Sequence, residues 1–61
     1  MSPTKRQLAG HQRRTLRTMR ERLLALADKW DGIDEFNRTE LADLADRIEQ
    51  VSAAMIEDAP E

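Results

Sequence analysis

The chain contains no cysteine, no tyrosine and a single histidine among its 61 residues. A domain of this length buries a modest fraction of its surface and is marginally stable alone unless a disulfide, a structural metal or a second subunit supports it. The missing cysteines exclude a disulfide, and the lone His11 excludes a cysteine–histidine zinc site. Association of two copies is the route that remains, so we expect a homodimer.

Long apolar runs are equally scarce. No stretch approaches the ~18 apolar residues of a membrane span, and the N-terminus has no apolar segment of the secretory type. These two absences predict a cytoplasmic protein without a membrane partner. The acidic residues match no calcium-binding loop, and a helical hairpin offers no cleft for paired catalytic carboxylates. We therefore expect no enzymatic activity, no cofactor, no metal and no small-molecule substrate.

Apolar residues recur at intervals of three and four on both sides of Gly32. That spacing places side chains on one face of an α-helix, because positions three and four apart lie above one another. Two such segments joined by a short loop predict an all-α fold, an antiparallel helical hairpin that dimerises into a four-helix bundle. The predicted core of the hairpin and dimer consists of Leu16, Met19, Leu23, Leu26, Trp30, Leu41, Leu44, Ile48, Val51 and Met55.

Residues that favour helix ends set the expected limits of the two helices. Ser2 and Pro3 suit the start of the first helix, and Gly32 suits its end because glycine adopts the left-handed conformation readily. Asn37 and Glu40 have the spacing of a capping box at the start of the second helix. Together these signals predict a single hairpin over the whole chain.

The expected limits are about 3–31 for helix 1, 32–37 for the loop and 38–58 for helix 2, within one domain at 1–61. Phe36 and Leu41 have the spacing of a hydrophobic staple around the second helix start, and Pro60 prevents its continuation. In this register Leu16 lies near Met55, and the basic residues before it extend beyond the end of helix 2.

Charge is distributed very unevenly along the chain. Residues 1–22 carry seven basic side chains and one acidic side chain, whereas residues 23–61 carry three basic and eleven acidic ones. The formal net charge of −2 therefore hides two oppositely charged halves. This asymmetry is the main functional clue in the sequence.

Four arginines share one flank of helix 1. At about 100° per residue they fall within about 60° of one another, and an apolar leucine continues the same flank. Guanidinium groups at this density suit carboxylate or phosphate recognition. The predicted partner-binding or nucleic-acid-binding residues are Arg6, Arg13, Arg17, Arg20 and Leu24.

Three interpretations of this arginine stripe stay open at the level of sequence. The arginines form a solvated face or pair with acids of the hairpin, they bind a polyanion, or they bind a protein. No aromatic residue lies between the arginines, so a stacking platform for single-stranded bases is missing. The negative net charge also opposes long-range attraction of nucleic acid.

The layout of the apolar positions resembles that of the Rop-type plasmid copy-number regulators. The residues that carry this resemblance are Leu16, Met19, Leu23, Leu26, Trp30 and Ile33, followed by Leu41, Leu44, Ile48, Val51 and Met55. The resemblance implies a hairpin that dimerises into a four-helix bundle and binds paired RNA loops. That family has an aromatic on its RNA-binding face where this chain has Thr18, so no binding residue is transferred.

We expect a small regulatory or inhibitory protein that acts by binding another protein. Chains of this size without catalytic residues often act by covering a partner's surface, and phages and other mobile elements encode many of them. The alternative is a regulator that binds RNA or DNA through the arginine stripe, with a Rop-like layout.

Overall fold

The computed structural model describes the backbone of residues 3–57 and the side chains of residues 3–55. In this part of the chain two α-helices, α1 (Lys5–Asp28) and α2 (Glu35–Glu57), pack against each other as an antiparallel hairpin. The predicted all-α hairpin is therefore confirmed. Ser2 and Pro60, which were expected to mark the outer ends of the helices, lie outside the described residues.

Helix α1 begins at Lys5 because Thr4 caps it. The Thr4 hydroxyl accepts a hydrogen bond from the Gln7 amide at 3.1 Å, and the Gln7 side chain accepts one from the Thr4 amide at 3.0 Å. This reciprocal capping box satisfies two amides that the helix itself leaves unpaired. The expected start at Pro3 is therefore two residues too early.

The loop between the helices also lies earlier than expected. α1 ends at Asp28 with Lys29 as its C-cap, and α2 begins at Glu35. The Asp34 carboxylate accepts hydrogen bonds from the amides of Phe36 and Asn37 at 3.0 and 3.2 Å. The predicted cap at Asn37 is thus wrong, because the charged Asp34 caps the helix one turn earlier, where a negative charge also complements the helix dipole.

Two further expectations at this end change with the cap. Phe36 lies inside the first turn of α2 and is 70% exposed, so the staple with Leu41 is not formed. Gly32 does adopt the left-handed conformation, with φ of 77°, but within the loop and not at the end of α1. There the amides of Ile33 and Asp34 both donate to the Trp30 carbonyl.

The two glycines should respond in opposite directions to the same substitution. Gly32→Ala places a Cβ on a residue with φ of 77°, which we expect to destabilise the fold by about 1 kcal/mol. Gly10→Ala lies within α1 with open space around the added Cβ, and we expect a gain of about 0.5–1 kcal/mol. Chemical denaturation measures both, and a stabilising Gly32→Ala would contradict the loop conformation.

The ion pair between Arg20 and Glu49 indicates the register between the helices. At that register Leu16 lies within one turn of Met55, close to the expected level. Leu16 lines the same groove as Ile48, Ser52 and Ala53. The earlier helix ends at the loop therefore leave the expected register nearly unchanged. The overhang of the basic residues beyond the end of α2 stays a prediction.

Small side chains fill the contact between the helices. Ala27 and Ala45 are the buried residues among those described, and no large side chain there is fully buried. The hairpin measures 48 × 19 × 10 Å along its principal axes, so it is about one helix diameter thick. A plate this thin has two broad faces and no interior of its own.

The predicted core residues fall into two groups in this plate. The first group is half-buried along the contact between the helices: Leu16, Leu23, Leu41, Ile48 and Met55. The second group is exposed: Met19, Leu26, Trp30, Leu44 and Val51. The hairpin therefore uses one half of the apolar pattern to hold its helices together and leaves the other half uncovered.

Candidate partner-binding surfaces

One broad side of the plate carries the exposed apolar residues. Relative to the half-buried residues of the same helix, the exposed ones are rotated by about 50° around the helix axis, in the same sense on α1 and α2. Because the helices are antiparallel, equal rotations of the same sign bring both sets to the same side. We call this the apolar face: Met19 at 46% exposure, Leu26 at 47%, Trp30 at 37%, Leu44 at 50% and Val51 at 38%.

The apolar face is arranged in layers. Arg20 pairs with Glu49, which fixes the level of one helix against the other. At that register Leu26 lies nearly level with Leu44, and Met19 lies nearly level with Val51. Met19 and Leu26 are seven residues apart on α1, as are Leu44 and Val51 on α2. This is the repeat of a heptad position that faces a neighbouring helix in a bundle.

The opposite side of the plate contains a groove of about 240 Å³ between the open ends of the helices. We call this side the groove face. Leu16 and Ile48 form the apolar part of the groove lining, and the small side chains of Ser52 and Ala53 widen it. The charged residues of the lining are Arg13, Arg17, Arg20 and Glu49.

The three groove arginines are not equivalent. Arg20 Nε lies 3.2 Å from a carboxylate oxygen of Glu49, close enough for an ion pair although not aligned as a hydrogen bond. Arg13 Nε is buried and finds no hydrogen-bond partner among the described residues. Arg17 is exposed at the groove edge. One carboxylate against three guanidinium groups leaves an excess of two positive charges around the groove.

A second hollow of about 420 Å³ lies on the groove face near the loop. Leu24 lines it, together with the small residues Ala27 and Ala42. Asp28 and Arg38 also line it, and the Arg38 guanidinium group is directed to acids, with 3.8 Å to Asp31 and 3.5 Å to Glu35. This end of the groove face is therefore less cationic than the open end.

The structure divides the predicted arginine stripe. Arg13, Arg17 and Arg20 meet around one groove, and Leu24 lies in the neighbouring hollow on the same face. Arg6 does not line either hollow, and it is not a free cation because it has an interaction of its own. Sequence reasoning missed the contribution of α2, above all Glu49 and Ser52, since no signal within α1 reveals which residues lie across from it.

Neither helix, over the described residues, has the length and apolarity needed to cross a lipid bilayer. The chain matches no protein-family model, and no curated protein or solved structure is similar enough to count as a match. Its function must therefore be argued from the two faces of the hairpin.

Proposed function

We propose that this chain is a small homodimeric regulatory or inhibitory protein that acts by binding another protein and has no enzymatic activity. The observation that carries the proposal is the apolar face of a plate only one helix thick. Five large apolar side chains on one side of a 61-residue chain form a patch typical of an interface.

The accessible surface supports the same proposal. It amounts to 5047 Å² for a chain of 7.0 kDa, whereas a compact monomer of that mass exposes about 4000 Å². The excess is of the order that one subunit buries in a standard interface, about 800 Å². Two plates joined through their apolar faces make a four-helix bundle, with Leu26, Leu44, Met19 and Val51 forming its inner layers.

Dimerisation through the apolar face leaves both groove faces outward. Each groove face combines an apolar lining, small side chains and an excess of positive charge, a mixture that suits a protein partner. Nucleic-acid binding is the second candidate, favoured by the exposed Arg17 beside Arg13. It is weakened because Arg20 is already paired with Glu49.

Trp30 reports directly on the proposed dimer, because it is the single tryptophan and the chain has no tyrosine. It is 37% exposed in the hairpin and would be covered at the interface. Sedimentation equilibrium at micromolar concentration should give the dimer mass. Dilution to concentrations at which the dimer dissociates should expose Trp30 to water, so its fluorescence emission should shift to longer wavelength. A folded monomer at micromolar concentration would contradict the proposal.

A further inference from the structure

We propose that the groove face docks an acidic helix of a partner protein, with carboxylates of that helix pairing with Arg13 and Arg17. This inference rests on the proposed protein-binding function, and it names the chemistry of the partner. It does not depend on the dimer, because the groove lies on the side of the plate opposite the apolar face.

The first reason for an acidic partner is that the groove contains arginines without a carboxylate partner. Arg13 Nε is buried and has no hydrogen-bond partner among the described residues, so the hairpin itself leaves this guanidinium group incompletely satisfied. A guanidinium group presents its donors in a planar fork that matches a carboxylate. Since the ion pair of Glu49 is with Arg20, Arg13 and Arg17 are the groove arginines open to a ligand.

The shape of the groove face is the second reason. The two hollows follow the line between α1 and α2, so the concave surface is elongated. Ala27 and Ala42 line one hollow, and Ser52 and Ala53 line the other. Small residues at these positions allow the backbone of a third helix to approach closely, which is the geometry of a helix bound between two others.

The composition of the lining favours a protein over nucleic acid. Leu16, Ile48 and Leu24 give both hollows an apolar component, which a phosphate backbone does not use. Polyanion binding depends on many basic contacts, whereas the groove offers two open arginines and one opposing carboxylate. A helix with a few acids among small apolar residues matches both features.

The test uses a fluorescein-labelled helical peptide of about five turns, with glutamates along one face and alanine elsewhere. Its twin carries glutamine in place of each glutamate. Fluorescence anisotropy is measured with the full-length chain. We expect the glutamate peptide to bind and the glutamine peptide to bind much more weakly.

Two double variants with the same charge change locate the binding site. Arg13→Gln with Arg17→Gln removes both open arginines, and we expect about 100-fold weaker binding of the glutamate peptide. Arg14→Gln with Arg22→Gln is the matched control, since both arginines are exposed on α1 and neither lines a hollow. We expect that control to bind nearly as well as the parent chain.

A third variant is expected to bind the glutamate peptide more tightly than the parent chain does. Glu49→Gln removes the one negative charge of the groove lining and releases Arg20 from its ion pair, so the glutamate peptide should bind several-fold more tightly. An unfolded variant could not produce that result. Circular dichroism and sedimentation equilibrium of each variant report on folding and dimerisation separately, so a failed dimer and a failed docking site are distinguishable.

Four outcomes would overturn the inference. They are no binding of the glutamate peptide, equal binding of its glutamine twin, equal losses in the two double variants, and tighter binding of an RNA stem-loop than of the peptide in a competition experiment. The last outcome would assign the groove to nucleic acid.

Discussion

Leu26→Asp is expected to weaken dimerisation about a thousandfold. Leu26 lies in the middle of the apolar face at 47% exposure, nearly level with Leu44. Each copy loses about 2 kcal/mol of apolar burial, and a dimer contains two copies, which gives about 4 kcal/mol. The aspartate also places a charge in an interface that supplies no partner for it.

Sedimentation equilibrium over a range of protein concentrations measures this effect. Ala25→Asp is the matched control, because it introduces the same charge one residue earlier on an exposed part of α1 away from both broad faces. That control should dimerise like the parent chain. If Leu26→Asp also remained dimeric, the apolar face would not be the interface, and the uncovered residues would need another partner.

The periodicity of the sequence was sufficient to predict the hairpin, but not the direction in which each apolar residue points. Apolar residues three and four positions apart can face either of the two helices that adjoin a helix in a bundle. The sequence pattern therefore does not distinguish Leu23, which packs inside the hairpin, from Leu26, which is exposed. The rotation of each helix decides between the two sides. That rotation depends on where small residues such as Ala27 and Ala45 let the backbones approach, which becomes clear only when both helices are placed.

The loop shows why the sequence alone placed the cap of α2 three residues too late. Asp34 and Asn37 are both good caps, and the sequence favoured Asn37 because Glu40 completes a box. The structure uses the Asp34 carboxylate, which accepts two amide hydrogen bonds. Starting α2 one turn earlier lengthens the helix at the loop and places Phe36 inside its first turn, where Phe36 is 70% exposed.

The arginine stripe was predictable as a flank of one helix but not as a site. Helical geometry placed Arg13, Arg17 and Arg20 together, and the structure gathers the same three around a groove. Their different states come from α2. Glu49 pairs with Arg20, and Arg13 stays without a partner at its Nε among the described residues, because the register puts one carboxylate within reach of one guanidinium group.

Ala45→Glu is expected to abolish folding rather than association. Ala45 is 0% exposed where the two helices meet, so a glutamate there either buries an unpaired charge or forces the helices apart. Each costs several kcal/mol, whereas a chain of 61 residues has a total stability of about 3–9 kcal/mol. Far-ultraviolet circular dichroism should therefore show the loss of most helical signal.

The dependence of the helical signal on protein concentration distinguishes Ala45→Glu from Leu26→Asp. A chain with a damaged dimer interface regains helix as its concentration rises, because association stabilises the folded state by mass action. Ala45→Glu damages the contact inside each hairpin, so higher concentration should restore little of the signal. Ala54→Glu makes the same substitution at an exposed position of α2 and should stay folded. A helical Ala45→Glu chain with unchanged thermal stability would contradict the alanine-centred contact between α1 and α2.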